Sequence, residues 1–352
     1  RALAAVAQAY AWSLASGITL SDWDNSRNYG LRSGTLSHIS GEINATKFNW
    51  EDGWMIQRSG MTADDGSGIP MSDDGFNFNY QAIRHNHLII EHIDQVADMA
   101  AEEKAQVKAE MAVLNAYRYQ EMFKRYGGVP IVTSSLSSED EIKIGRSPLE
   151  EVLQHIINLC DGALPALPNQ HPREMKGRVT KGVALAVKAE ALMYAARPLF
   201  NAASPYLDLG EHNTLIAFGN HNPERWQQAI AASQAVIDWA LANGHAIINT
   251  GSPLEDYGTA VATPGNAEVL LAYKAQFTSW GGNGNYYDPR GPSGGANGMS
   301  FRQLQQYYTA SGEDQVWPES GEAAPYAEYA EKIQQMEPRY KASAMGAGID
   351  AW

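Results

Sequence analysis

The sequence predicts an all-α-dominated protein: a superhelix of helical pairs carrying a loop-rich irregular part with little β structure. Three observations predict it. Segments with a 3.6-residue apolar period recur from about residue 78 to 245. Short polar or Pro/Gly breaks separate them, as in antiparallel helical pairs. No strand-like segments alternate with them, which argues against a doubly wound sheet. With 352 residues, 44% hydrophobic and 19% charged, the chain can bury a sizeable core. We read residues 1–352 as a single domain, with the helical body mainly over 78–245 and irregular loop-rich parts over 17–77 and 246–352.

Residues 1–16 read as an Ala-rich helix with Tyr10 and Trp12. From Gly17 to Gly75 the periodicity dissolves into Trp, Asp, Asn, Ser and Gly, a composition typical of long functional loops. A helix follows over 78–100, with Ile83, Leu88 or Ile90, Ile93 and Val96 as its apolar stripe. The next runs from about 102 to 126 and ends in Tyr117, Tyr119, Phe123 and Tyr126. Asn115 and Arg118 lie in its apolar middle, so they are expected to bond to neighbours rather than to water. Gly127 can end this helix in a left-handed conformation without a Cβ clash. Pro130 pushes Val129 to an extended backbone and leads into Ile131-Val132.

The helix over 148–164 carries Ser147 as an expected N-cap, Pro148 in the first turn and Glu150 completing a capping box. Leu149, Val152, Leu153, Ile156, Ile157, Cys160, Ala163 and Leu164 form one apolar face. Thr180 is the expected cap of an Ala-rich central helix over 181–200, which Pro198 ends or bends. Over 223–242, Trp226, Ala229, Ile230, Ser233, Val236, Ile237, Ala240 and Leu241 keep helical spacing. This pattern is similar to the first helix of a tetratricopeptide repeat, although no fixed period is present. Beyond 243 the chain predicts a strand at Val269–Tyr273, a Gly/Asn-rich loop over 280–298, a short helix over 301–311 and an acidic linker.

The net charge of −14 disfavours nucleic acid and anionic lipid as partners, because both need a basic surface. It suits neutral or cationic ligands. Nine Trp and seventeen Tyr against eight Phe favour rings that tolerate a wet surface. The lone Cys160 sits at a core-spaced position and can form no disulfide within the chain. No apolar run reaches transmembrane length. The chain opens in mid-helix at Arg1-Ala2-Leu3 and stops at Asp350-Ala351-Trp352, so both ends are expected to be cut, with any export signal outside this sequence.

Chemistry-bearing motifs are sparse. His87 and Glu91 share a helix face beside His92, but zinc needs three or four converging ligands and no second cluster offers them. Asp22-Trp23-Asp24-Asn25-Ser26 starts like a calcium loop, yet Arg27 stands where an EF-hand needs Gly and Ser33 where it needs Glu. Gly281-Gly282-Asn283-Gly284 does not fit the dinucleotide fingerprint. Asp22, Asp24, Asp64, Asp65, Asp73 and Asp74 could supply a glycosidase carboxylate pair among aromatics, but they read first as solvating charges of the loop. No catalytic residue, metal or cofactor is assigned.

The aromatic loops carry the sharper expectation. A pyranose ring can lay its C–H face on Trp or Tyr while neighbouring polar groups bond its hydroxyls. Trp23, Asp24, Arg27, Tyr29, Trp50 and Trp54 form one candidate ligand-binding group, and Trp280, Asn283, Tyr286 and Tyr287 the other.

Three blocks carry a resemblance. Ala116 to Pro130 (AYRYQEMFKRYGGVP) resembles the aromatic helix and Y-G-G-V-P turn of the SusD/RagB family. Arg146-Ser147 with Glu150-Glu151-Val152 is similar to its R-S-x-x-E-V helix start. Gly177-Arg178-Val179-Thr180-Lys181-Gly182 with Ala184 resembles its G-R-x-T-K-G-A helix. Asp314 and Pro338-Arg339-Tyr340 resemble later landmarks, so the likeness runs from about residue 80 to 340.

The resemblance implies a tetratricopeptide-like body and no catalysis. It implies an oligosaccharide or peptide ligand, a SusC-like TonB-dependent transporter as partner, and a cell-surface position at the outer membrane through an N-terminal lipid anchor absent from this sequence. It also implies further chain beyond residue 352. Two other readings stand beside it: a glycoside hydrolase on a helical toroid, and a peptide-binding repeat scaffold.

Overall fold

The computed structural model describes residues 2–14, 40–45, 76–137, 143–272, 297–317 and 326–343. The residues cluster into two compact units: residues 1–15, 75–246 and 269–273 form the first, and 16–74, 247–268 and 274–352 the second. The fold is dominated by helices, with little β structure, as the periodicity predicted.

The first unit contains helices α1 (Ala2–Leu14), α2 (Phe76–His92), α3 (Ala101–Tyr126), α4 (Leu149–Ala163), α5 (Lys181–Ala196) and α6 (Glu224–Ala242). Consecutive helices from α2 to α6 pack on one another, and α1 packs on α2 and α3. The core is continuous: Ile83, Met111, Leu114, Phe123, Leu149 and Ile156 are all fully buried in it. Cys160 is buried there too, and burial pushes its thiol up to about 12.

Several helix ends differ from expectation for local reasons. The 78–100 helix stops at His92 and tightens into a 3-10 turn over Ile93–Gln95. The fourth helix starts one residue late: Pro148 is its N-cap, no side chain caps it, and the Pro148 carbonyl accepts from Val152 N–H. Ser147 is diverted, because its N–H donates to the Val129 carbonyl at 3.1 Å. Thr180 does occupy the N-cap of α5, but through its backbone carbonyl, which accepts from Val183 and Ala184. Helix α5 ends at Ala196 because the residue before Pro198 is extended, with Arg197 at φ −65° and ψ 149°.

The Gly-Gly turn after α3 works through close approach. Gly127 has φ +73° and ψ −121°, a backbone region open to glycine. A Cβ there would lie 2.2 Å from the Leu215 carbonyl oxygen, and one on Gly128 2.2 Å from the Ser147 oxygen. In exchange, Gly128 N–H donates to Leu215 O at 2.7 Å. The turn is then pinned from three sides. Tyr80 Oη donates to Pro130 O at 2.7 Å, Arg146 Nε donates to Gly128 O at 2.7 Å, and Tyr119 Oη both donates to and accepts from the backbone of Val132.

Helix α6 overturns part of the sequence reading. Its apolar spacing predicted one buried face, yet Trp226, Ile230, Ile237 and Leu241 are exposed and Ala229 alone is fully buried. The helix docks on α5 through the side that carries Ala229 and Trp239 instead. Trp239 lies so close over Gly182 that a Cβ on Gly182 would come within 2.1 Å of the indole ring.

The second unit holds a two-stranded antiparallel ribbon, β1 (Ile43–Ala45) with β2 (Asn297–Met299), in the register Ile43↔Met299. It also holds α7 (Pro253–Ala262), α8 (Phe301–Leu304), α9 (Tyr326–Gln334) and α10 (Pro338–Ser343). A small core gathers Tyr307, Ile333, Met336 and Tyr340. The strand expected at Val269–Tyr273 does not form over 269–272, which run as bend and irregular backbone. Leu271 packs against the helical core of the first unit rather than pairing in a sheet.

Candidate functional site

All ten residues proposed from sequence as ligand-binding lie outside the described residues: Trp23, Asp24, Arg27, Tyr29, Trp50, Trp54, Trp280, Asn283, Tyr286 and Tyr287. The loop carboxylates Asp22, Asp64, Asp65, Asp73 and Asp74 also lie outside them. Among the polar groups that the structure describes are two buried networks and one partly exposed aromatic cluster.

The first network ties α1 to α3 and to the entry of α5. Glu110 is fully buried and accepts from Tyr10 Oη at 2.7 Å, Arg178 Nε at 2.8 Å and Gln106 Nε2 at 2.9 Å. Tyr10 Oη in turn accepts from Val179 N–H at 2.8 Å. Burial first, and then the Glu110 carboxylate, drive the Tyr10 pKa well above the usual phenol value. A buried carboxylate survives only with such partners, so this network reads as structural. It also gives Arg178 and Tyr10 a task that their sequence context does not disclose.

The second network runs through α2 and α3. Asn86 Nδ2 donates to Ser13 Oγ and to Asn115 Oδ1 at 2.9 Å. His87 Nε2 lies 3.2 Å from Val132 O, while Glu91 turns away to accept from Ser135 N–H and Oγ. His87 and Glu91 therefore engage separate partners and do not converge as metal ligands. Arg118 is buried as expected, with Nη1 donating to Asn79 at 3.2 Å and its guanidinium 4.8 Å from the Tyr117 ring centre.

The exposed cluster lies in the second unit and was not singled out in the sequence. Tyr308 is 50% exposed. Its N–H donates to Glu337 Oε1, which also accepts from Arg339 Nη2 at 2.7 Å. The Arg339 guanidinium sits 4.9 Å from the centre of Tyr307, and Tyr307 meets Tyr340 edge-on. Tyr257, also exposed, receives a hydrogen bond from Ser343 Oγ at 3.2 Å on the neighbouring α10. Trp317 stacks on Tyr329, and its indole N–H is buried without a partner. Tyr307 and Tyr340 belong to the small buried core, so the rings the cluster leaves exposed are Tyr308 and Tyr257, with the Glu337 carboxylate and Arg339 guanidinium held close by in sequence and hydrogen bonding, a mixture suited to a polyhydroxylated neutral ring. Its only sequence signal is the pairing of Tyr307-Tyr308 with Pro338-Arg339-Tyr340, thirty residues apart.

Residues 28–192 match a SusD-like family model described as starch-binding and associating with the outer membrane. A SusD-like protein of Formosa agariphila is 25% identical over 114 residues, which is 32% of this chain and 22% of that protein. Among solved structures, a SusD-like protein from Bacteroides fragilis superposes with a TM-score of 0.65 at 21% identity, covering 88% of this chain and 56% of that one. A SusD-like carbohydrate-binding protein from the same species gives 0.64 at 16%, covering 97% and 58%.

Residues 28–192 are similar in sequence to the SusD-like family and the described fold is similar to that of SusD-like structures, in line with the SusD/RagB resemblance. The chain spans less than two thirds of the length of each of these relatives.

Proposed function

We propose that this chain captures glycans without cleaving them, at the bacterial outer-membrane surface, and presents oligosaccharide to a SusC-like TonB-dependent transporter. The observation that carries this is the match over residues 28–192 to a family described as starch-binding and outer-membrane-associated. That segment begins in the first aromatic loop and includes Tyr29, Trp50 and Trp54. Stacking on Trp and Tyr would supply affinity, and Asp24, Arg27 and Asn283 would orient the sugar. The helical pairs would hold the platform rigid. A lipid anchor on a longer precursor fits the same reading. The Tyr308–Glu337–Arg339 cluster is a separate candidate contact among the described residues.

Affinity electrophoresis against a panel of neutral polysaccharides tests the proposal. One or more should retard the protein, with no reducing sugar released on prolonged incubation. Trp280→Ala, Tyr287→Ala and Tyr308→Ala should each weaken binding roughly tenfold, the scale of a truncated aromatic anchor, with little change in melting temperature. Turnover of any polysaccharide would replace the capture reading with a hydrolase. A large loss of stability would assign those rings to packing.

A further inference from the structure

The outward face of α6 is built for a partner. Trp226, Ile230, Ile237 and Leu241 are 42%, 58%, 50% and 67% exposed. At about 100° per residue these four positions fall within roughly 60° of arc on a straight helix. The packed side, which carries Ala229, Ala232, Val236 and Trp239, lies about a third of a turn away against α5. Singly exposed apolar side chains need no explanation, but two exposed apolar pairs aligned on one helix face, with only Ser233 and Gln234 between them, mark an interaction surface.

The spacing of the row says which partner. Its positions are symmetric about Ser233-Gln234: Trp226 and Leu241 are equidistant from that midpoint, and so are Ile230 and Ile237. A two-fold axis through the midpoint sets Trp226 of one helix against Leu241 of an antiparallel copy, and Ile230 against Ile237. This is the self-complementarity that an isologous interface requires. Ser233 and Gln234 at the axis are small or flexible enough to let two backbones approach. Antiparallel alignment also opposes the two helix dipoles favourably.

The face itself is nearly free of charge, which limits the repulsion between copies. The chain carries −14 overall, which repels a second copy. Between Trp226 and Leu241 the helix holds a single charge, Asp238. Antiparallel pairing places Asp238 opposite Ala229 of the other copy, about 13 Å along the axis from the symmetry-related carboxylate.

We infer that this chain self-associates through α6 as a weak antiparallel two-fold dimer. The row is about 22 Å long and one helix diameter wide, so two copies would bury on the order of 800–1,000 Å² in total. That is the low end for a specific interface, and a dissociation constant of tens of micromolar is expected.

Sedimentation equilibrium of the 352-residue chain, from about 1 to 500 µM, measures this directly. The unmodified chain should dimerise. Ile230→Lys with Ile237→Lys, both exposed and therefore harmless to the fold, should weaken association at least tenfold. Ile230→Lys with Ile237→Glu should recover to within about threefold, because two-fold pairing sets each lysine against a glutamate. Circular dichroism of each variant checks that the helices persist. A chain that stays monomeric at the highest concentration overturns the inference. So does equal behaviour of the two double variants, which would mean that the α6 faces do not meet in this register. A fault in the glycan-capture reading would leave these results unchanged.

Discussion

At the scale of single residues, glycine does two different things in the first unit. Gly128 is where the α3 turn, the 3-10 turn over Gly210–Leu215 and the approach to α4 meet, and an added Cβ there strikes the Ser147 carbonyl oxygen. Backbone cannot yield as a flexible side chain can. Gly128→Ala should therefore cost about 2–3 kcal/mol, the range of local backbone strain. Gly162 is the contrast. It lies in α4, has an ordinary helical backbone, and an added Cβ meets nothing within 4 Å. Gly162→Ala should stabilise by about 0.5–1 kcal/mol through helix propensity alone. Urea unfolding of the two variants reads both signs in one experiment. Opposite signs are expected; a neutral Gly128→Ala would mean that the turn relaxes freely.

At the scale of elements, the joint of α2, α3 and α4 contains two imidazoles held neutral. Burial and the nearby His87 lower His155 to about 4, and His155 meets the Tyr119 ring edge-on at 4.7 Å. Burial lowers His87 as well, against the Val132 carbonyl and Glu91, which act to raise it. A histidine with a depressed folded pKa takes up its proton more readily in the unfolded chain. The stability it guards is present above about 6.5 and is lost as pH falls from there towards about 4. Thermal melts should therefore fall steadily across that window. His155→Asn should flatten the slope while lowering stability at pH 7; an unchanged slope would place the acid-sensitive groups elsewhere.

The elements around this joint were largely legible in the sequence, because long amphipathic helices announce themselves through apolar spacing. What stayed hidden was polar pairing across elements. Nothing in the spacing shows that Asn86 reaches Ser13 and Asn115, or that Glu110 collects Tyr10 and Arg178. The spacing of α6 could not rank its two adjacent apolar sides, and it is Gly182 on α5, by making room for Trp239, that selects the docked one. The candidate site was legible only as composition: aromatic loops were visible, while the Tyr308–Glu337–Arg339 cluster depends on a long-range backbone bridge between Thr309 and Met336.

At the scale of the whole molecule, the glycan-capture proposal carries a charge test: the net field would separate classes of glycan before any subsite chose among sugars. A chain at −14 sets up a field that repels uronate- and sulfate-bearing polymers over roughly 30 Å at 0.01 M salt and about 8 Å at 0.15 M. Stacking of a neutral pyranose on Trp or Tyr involves no net charge and releases no counterions, so it should be nearly independent of salt. Retardation in a neutral β- or α-glucan gel is therefore expected to change less than about twofold between 0.01 and 0.5 M sodium chloride. An anionic polysaccharide should give none at the low-salt end, where repulsion is strongest. Tighter binding of a sulfated or uronic polymer at low salt would reverse this argument. It would show that Arg27, Arg339 or other cations form a basic subsite strong enough to override the field of the whole chain.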